Sequence, residues 1–200
     1  GLTRVGDVIG YEIVDGQKIA VPGKLIYRGY DIEDIISDAE SQDQFGFEQT
    51  VYLLLFGELP SQEELDELRA FLGSKRTLPE NFTEDMIMKA PSSDIMNKLA
   101  RGVLASYSYD PNPEDVSIAN NLRQCIELIA RFSTLAAYAY EAKRHYYDGK
   151  SMYIHNPKPE LSTAENLLRL IRRDKSYTKL EAEILDLALI LHAEHGGGNN

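Results

Sequence analysis

The sequence predicts a mainly α fold with a small β-hairpin region at its N-terminal end. Three observations carry this reading. From residue 31 onward, apolar residues recur at three- and four-residue spacing in one segment after another. Three Ser/Thr-x-x-Glu capping boxes mark helix starts, at Ser61–Glu64, Ser162–Glu165 and Thr178–Glu181. Only residues 1–30 alternate as extended chain does, around the turn pair Asp15-Gly16. Residues 1–30 therefore read as the hairpin region and 31–200 as helical.

Each element has its own local reason. Val8, Ile9, Tyr11, Ile13 and Val14 precede Asp15-Gly16, a strong hairpin signal, and Ile19, Val21 and Leu25-Ile26-Tyr27 follow it. Pro22-Gly23 reads as a second turn. Tyr27-Arg28-Gly29-Tyr30 leads to Asp31, an N-cap for a short helix from Ile32 to Ala39, and Arg28 reads as one side of a structural ion pair. Phe47 to Phe56 is an apolar helix with Phe47, Val51, Leu54 and Leu55 on one face, stopped by Gly57-Glu58-Leu59-Pro60. Leu65, Leu68 and Leu72 give the next helix one apolar edge.

Residues 73–91 are polar and broken by Pro79 and Pro91, with a short helix at Glu84 to Lys89. Ile95, Leu99 and Val103 mark another helix, in which Gly102 allows a neighbour to come close. After the loop Asp110-Pro111-Asn112-Pro113 comes the longest helix, from Glu114 to Lys143. Its small residues Ala130, Ser133, Ala136 and Ala137 suit tight packing. Arg144 to Pro159 is a polar, aromatic, proline-punctuated connector, in which His145 and His155 read as surface or packing residues. In the last helix Leu180, Ile184, Leu187, Leu191 and His195 share one stripe. From Ile184 to Ala193 only Asp186 and His192 are polar, so this helix is expected to be buried nearly all round.

Composition excludes several classes of function. The formal net charge is −11, with 32 Asp+Glu against 21 Lys+Arg. Nucleic acid and anionic membrane surfaces need a basic footprint, so neither is an expected partner. A single cysteine forms no internal disulfide and fits a reducing compartment. The first residues, GLTRVGDVIG, lack the apolar stretch of a signal peptide, and the apolar runs are too short to span a bilayer. The expected location is cytoplasmic.

The groups for chemistry converge in Leu189-Ile190-Leu191-His192-Ala193-Glu194-His195-Gly196-Gly197-Gly198-Asn199-Asn200. Glycines end the helix and leave backbone N–H groups uncovered. Together with histidine and asparagine donors, such groups suit a small carboxylate. A plainer reading stands beside it: a histidine at a buried helix end hydrogen-bonds a carbonyl, and its cationic form complements the helix dipole. No metal is expected. His192-Ala193-Glu194 matches half of a zinc deaminase site, but the required Pro-Cys-x-x-Cys lies downstream in such sites and Cys125 is upstream here. The HExxH spacing is missing, and an i, i+3 histidine pair supplies two ligands with no third in view.

The run LILHAEHGGGNN resembles the first histidine motif of citrate synthases and 2-methylcitrate synthases, in which a helix ends in H-x-D/E-H before a glycine-containing turn and an asparagine. GKLIYRGYDI is similar to that family's N-terminal signature, and FEQTVYLLLFGELPSQEEL to its second. The segment before Ser162-Thr163-Ala164-Glu165-Asn166 also looks like the family's. The resemblance spans the chain, in register, and covers about the first half of the family's length. It implies a multi-helical citrate-synthase-like large domain, with 1–200 as its N-terminal portion and the small domain absent. It implies an acyltransferase that condenses acetyl-CoA (or propionyl-CoA) with oxaloacetate, uses the thioester as substrate with no further cofactor, and forms a homodimer.

Residue by residue, the resemblance makes His195 and Asn199 oxaloacetate-binding and His192 supporting. The family's two catalytic histidines, its aspartate base and its carboxylate-clamping arginines match nothing in residues 1–200, so this segment alone is expected to be inactive. The alternative is a non-catalytic helical scaffold used for dimerisation.

Overall fold

The computed structural model describes residues 5–194. The chain divides into two compact units, Gly1–Leu68 with Lys179–Asn200, and Arg69–Thr178. Mainly helical architecture with one small sheet is what the sequence predicts.

In the first unit, strands β1 (Gly6–Val14), β2 (Gln17–Tyr27) and β3 (Tyr30–Asp31) form an antiparallel meander in that order. Asp15 and Gly16 make the expected turn, with φ of 52° and 77°. Pro22-Gly23 does not turn the chain. β2 runs through it, and the pairing register shifts between Ile9 and Tyr11, so the extra residues are absorbed as an irregularity in a continuous ladder. The second tight turn is at Arg28-Gly29 instead, where both residues take positive φ, 51° and 92°.

Helix α1 (Ile32–Ser41) starts as expected at Asp31, whose Oδ1 accepts the Glu33 N–H at 3.1 Å. Helix α2 (Phe47–Phe56) has its predicted bounds and ends at Gly57 in the left-handed conformation. Among the described residues Arg28 has no ion-pair partner: its Nε and Nη2 donate to the Leu54 carbonyl at 3.2 and 2.8 Å, a cation on the open C-terminal end of α2. Helix α3 (Gln62–Lys75) opens on the predicted box, with the Ser61 N–H donating to Glu64 Oε2 at 2.8 Å, and buries Leu65, Leu68 and Leu72. The core of this unit gathers Tyr27, Ile32, Ile35, Leu53 and Ile190.

The second unit begins within α3. The expected helix at 84–89 is one π-helical turn, Thr83–Met88, in which the Lys89 N–H reaches the Glu84 carbonyl five residues back. Helix α4 (Ile95–Ser106) is capped by Asp94. Helix α5 (Ile118–Tyr146) starts four residues later than expected. The Asp110–Ser117 loop folds back onto its first turn: Ser117 caps the helix, and Asn120 Nδ2 donates to the Asn112 and Asp115 carbonyls at 2.9 and 2.7 Å. Ala130, Ser133 and Ala137 are buried, as their size suggested, whereas Ala136 is half-buried.

Gly102 is not the tight contact in this unit, since a Cβ there would stand 3.5 Å from Leu135 in ordinary contact. Gly73 is: a Cβ on it would lie 2.3 Å from the Pro159 carbonyl oxygen. The connector before α6 (Thr163–Ile171) is pinned to the helices. Buried Arg76 donates to the carbonyls of Lys158, Pro159 and Leu161, and Asn166 exchanges hydrogen bonds with Lys158 at 2.8 Å. His155 packs with its Nε2 3.0 Å from the Arg172 carbonyl, and exposed His145 bonds the Lys150 carbonyl. Ser162 and Glu165 make the reciprocal capping box. Phe82, Ile87, Leu99, Leu135, Tyr138 and Leu170 centre this unit's core.

Candidate functional site

The candidate residues sit at the end of helix α7 (Lys179–Leu191), in the first unit. The helix is not buried all round. Its hidden face is Ala182, Asp186 and Ile190, at four-residue spacing. The predicted apolar stripe is the other face: Leu180 is 64% and Ile184 59% exposed, and Leu187 and Leu191 are open to solvent as well. The expectation of burial nearly all round does not hold: one side alone is buried, because hydropathy records that a face is apolar and not whether another part of the chain covers it.

Two contacts lock α7 in place. Asp186 is 4% exposed, and its Oδ2 accepts the N–H groups of Gly46 at 2.8 Å and Phe47 at 3.2 Å. These are first-turn amides of α2 that have no partner within that helix, and a carboxylate there also meets the positive end of the helix dipole. At the other end of α7 stands Tyr27, which is fully buried. Its hydroxyl donates to the Ile190 carbonyl at 2.8 Å and accepts the Glu194 N–H at 3.2 Å. Burial pushes this phenol above its usual pKa, opposed by the hydrogen bond from the Glu194 backbone and reinforced by the charge of Glu194. The hydroxyl is therefore protonated and available as a donor.

His192 is the first residue past α7 and lies on the surface. Its Nδ1 is 2.7 Å from the Ala188 carbonyl. A carbonyl only accepts, so Nδ1 carries the hydrogen. The ring thus bonds back to its own helix, the plainer of the two readings of a helix-end histidine. His195 and Asn199 lie outside the described residues. The backbone is held as far as Glu194, one residue before His195, and Ala193 packs against the core beside Tyr27.

The side chains that hold α7 up to Glu194 leave little trace in the sequence pattern. Asp186 gave a weak signal as a lone carboxylate in an apolar helix. Tyr27 gave none beyond its place in the YRGY string. Among the described residues no three His, Cys, Asp or Glu side chains cluster closely enough to hold a metal ion. A cavity of about 400 Å³ between α1 and α7, lined by Ile36, Phe45, Ile184 and Leu187, does not include His192. No helix of the described residues is long and apolar enough to cross a membrane.

Comparison with known proteins bears on this turn and on the whole chain. A family model described as citrate synthase, C-terminal domain, matches residues 3–200. Citrate synthase of Saccharolobus solfataricus is 31% identical over 188 residues, which are 94% of this chain and 45% of that protein. The crystal structure of citrate synthase from Pyrobaculum aerophilum superposes with a TM-score of 0.76 at 25% identity, covering 96% of this chain and 44% of that one. Citrate synthase from Thermoplasma acidophilum, solved as a ternary complex with carboxymethyl coenzyme A and oxaloacetate, shares the fold with a TM-score of 0.75 at 24% identity, covering 96% of this chain and 44% of that chain. The chain spans about 45% of the length of the curated relative. A match of the family model to nearly every residue, with the same fold in solved members, leads to one conclusion: the chain belongs to the citrate synthase family.

Proposed function

We propose that the protein carrying this chain is an acyltransferase that condenses acetyl-CoA or propionyl-CoA with oxaloacetate, giving citrate or 2-methylcitrate and CoA. The observation that carries the reading is the family match over residues 3–200, ending in a histidine turn whose approach is fixed by Asp186 and Tyr27. In this reading His195 and Asn199 hold oxaloacetate and His192 supports the turn. A hydrogen-bond donor at the ketone oxygen stabilises the alkoxide that forms there as the thioester enolate attacks. Hydrolysis of the resulting thioester releases CoA. The oxaloacetate and coenzyme A analogue bound by the Thermoplasma acidophilum protein support these substrates. The acyl-CoA is consumed as a substrate, and no resident cofactor is part of the proposal.

The proposal extends to architecture and location. Residues 1–200 form the N-terminal portion of the large domain and are inactive alone, because the enolate-forming groups of the family have no matches among them; turnover by residues 1–200 would refute that. The protein is a cytoplasmic homodimer. Exposed apolar residues on α7, and Leu104 and Ile118 at 76% and 88% exposure, support the dimer, and a monomer by sedimentation at micromolar concentration would overturn it. Localisation of a tagged full-length protein outside the cytoplasm would overturn the last element.

The deciding experiment is thiol release from acetyl-CoA and propionyl-CoA with oxaloacetate, on the full-length protein and its His195→Ala variant. The expected result is oxaloacetate-dependent release that falls by about two to three orders of magnitude in the variant, the usual effect of removing one oxyanion donor. No release from folded wild type would replace the enzyme reading with a non-catalytic scaffold.

A further inference from the structure

The N-terminal hairpin has a job that its own packing does not explain. Most of its strands lie open to solvent, yet its base is buried at Gly6 and Tyr27, which face each other in the β1–β2 register. Both residues touch the same place. The Tyr27 hydroxyl bridges the Ile190 carbonyl and the Glu194 N–H, spanning the end of α7 where a continuing helix would have made those bonds. Opposite it, the Gly6 Cα sits so close to Glu194 that an added Cβ would be 2.8 Å from Glu194 Cγ. The hairpin base is thus a two-sided clamp on the residue immediately before His195.

We infer that Tyr27, with Gly6, is a positioning residue for oxaloacetate binding: the Tyr27 hydroxyl sets where the backbone leaves α7, up to the residue that precedes His195. This inference rests on the proposed role of His195. Phenylalanine at 27 would fill the same buried space while removing the hydrogen bonds to Ile190 and Glu194. The Arg28 contact to α2 and the hairpin pairing would remain. A change confined to the turn moves the binding of one substrate, whereas a general loss of structure lowers the active fraction and leaves both KM values as they were.

The test uses the full-length protein and compares wild type with Tyr27→Phe, Gly6→Ala and the control Tyr30→Phe, whose ring is on the same hairpin region and partly exposed. For Tyr27→Phe the expected result is a rise of roughly five- to tenfold in KM for oxaloacetate, the size of one or two lost hydrogen bonds, with KM for the acyl-CoA unchanged. Gly6→Ala should move the same constant in the same direction, and Tyr30→Phe neither. Should Tyr27→Phe fail to fold, Gly6→Ala decides alone. An unchanged oxaloacetate KM in a folded variant, or equal rises in both KM values, overturns the inference. Wild-type protein without oxaloacetate-dependent thiol release marks failure of the proposed function instead, which the same assay reports separately.

Discussion

Asp186→Ala is expected to be among the most damaging single changes in the first unit. The Asp186 carboxylate replaces the missing partners of two first-turn amides of α2, through Oδ2 at 2.8 Å to Gly46 and 3.2 Å to Phe47. A hydrogen bond to a charged group contributes about 1.5–3 kcal/mol, and a carboxylate at a helix N-terminus about 0.3–1 kcal/mol more through the dipole. Removal of the side chain leaves both N–H groups buried against α7, while relief of the carboxylate's own desolvation returns part of the loss. The net destabilisation is on the order of 3 kcal/mol, a large share of the 5–15 kcal/mol of an ordinary domain. Asp186→Asn keeps one acceptor oxygen and loses the charge, so about 1 kcal/mol is expected. Urea unfolding of the full-length protein, followed by circular dichroism, gives both numbers from the shift in midpoint at constant slope. Alanine within about 0.5 kcal/mol of wild type, or asparagine as damaging as alanine, would refute the capping argument.

Two further changes probe the second unit. Gly73→Ala places a Cβ 2.3 Å from the backbone oxygen of Pro159 and should cost roughly 1–3 kcal/mol in the same unfolding assay, whereas Gly102→Ala, with 3.5 Å of room, should be neutral or stabilising; equal effects would refute the steric reading. Burial raises the Asp110 carboxyl, but the Asn112 N–H, the Arg123 guanidinium at 2.7 Å and the Gln124 amide together hold it below the ordinary aspartate value of 3.8. A depressed folded pKa contributes stability that is full above the unfolded value and is lost as pH falls through the folded one. The gap in Tm between wild type and Asp110→Asn should therefore be widest near neutrality and close in strong acid, and a gap constant across the range would contradict the sign.

Much of this architecture could be read without coordinates because its signals are local. Asp31 and Ser162 cap helices through atoms a few residues away, and Gly57 and Asp15-Gly16 take backbone angles that their own chemistry favours. The bounds of α2 follow from the same short-range rules. The histidine turn was likewise recognisable as a string. The misreadings share one cause. Pro22-Gly23 carries turn chemistry but lies opposite a strand that holds it in the ladder. Asn120 and Ser117 draw the preceding loop onto α5 and delay its start. Arg28 meets a carbonyl twenty-six residues away where an ion pair was expected.

Which face of α7 turns inward was decided by partners remote in sequence: Asp186 finds α2 across 140 residues and Tyr27 finds Ile190 across 163. Periodicity records that a face is apolar, and capping chemistry records where a helix begins. The identity of the surface that face meets depends on contacts that local pattern does not encode, so the sequence by itself determined the elements and the family's signature, while the tertiary structure decided what holds the end of α7 in place.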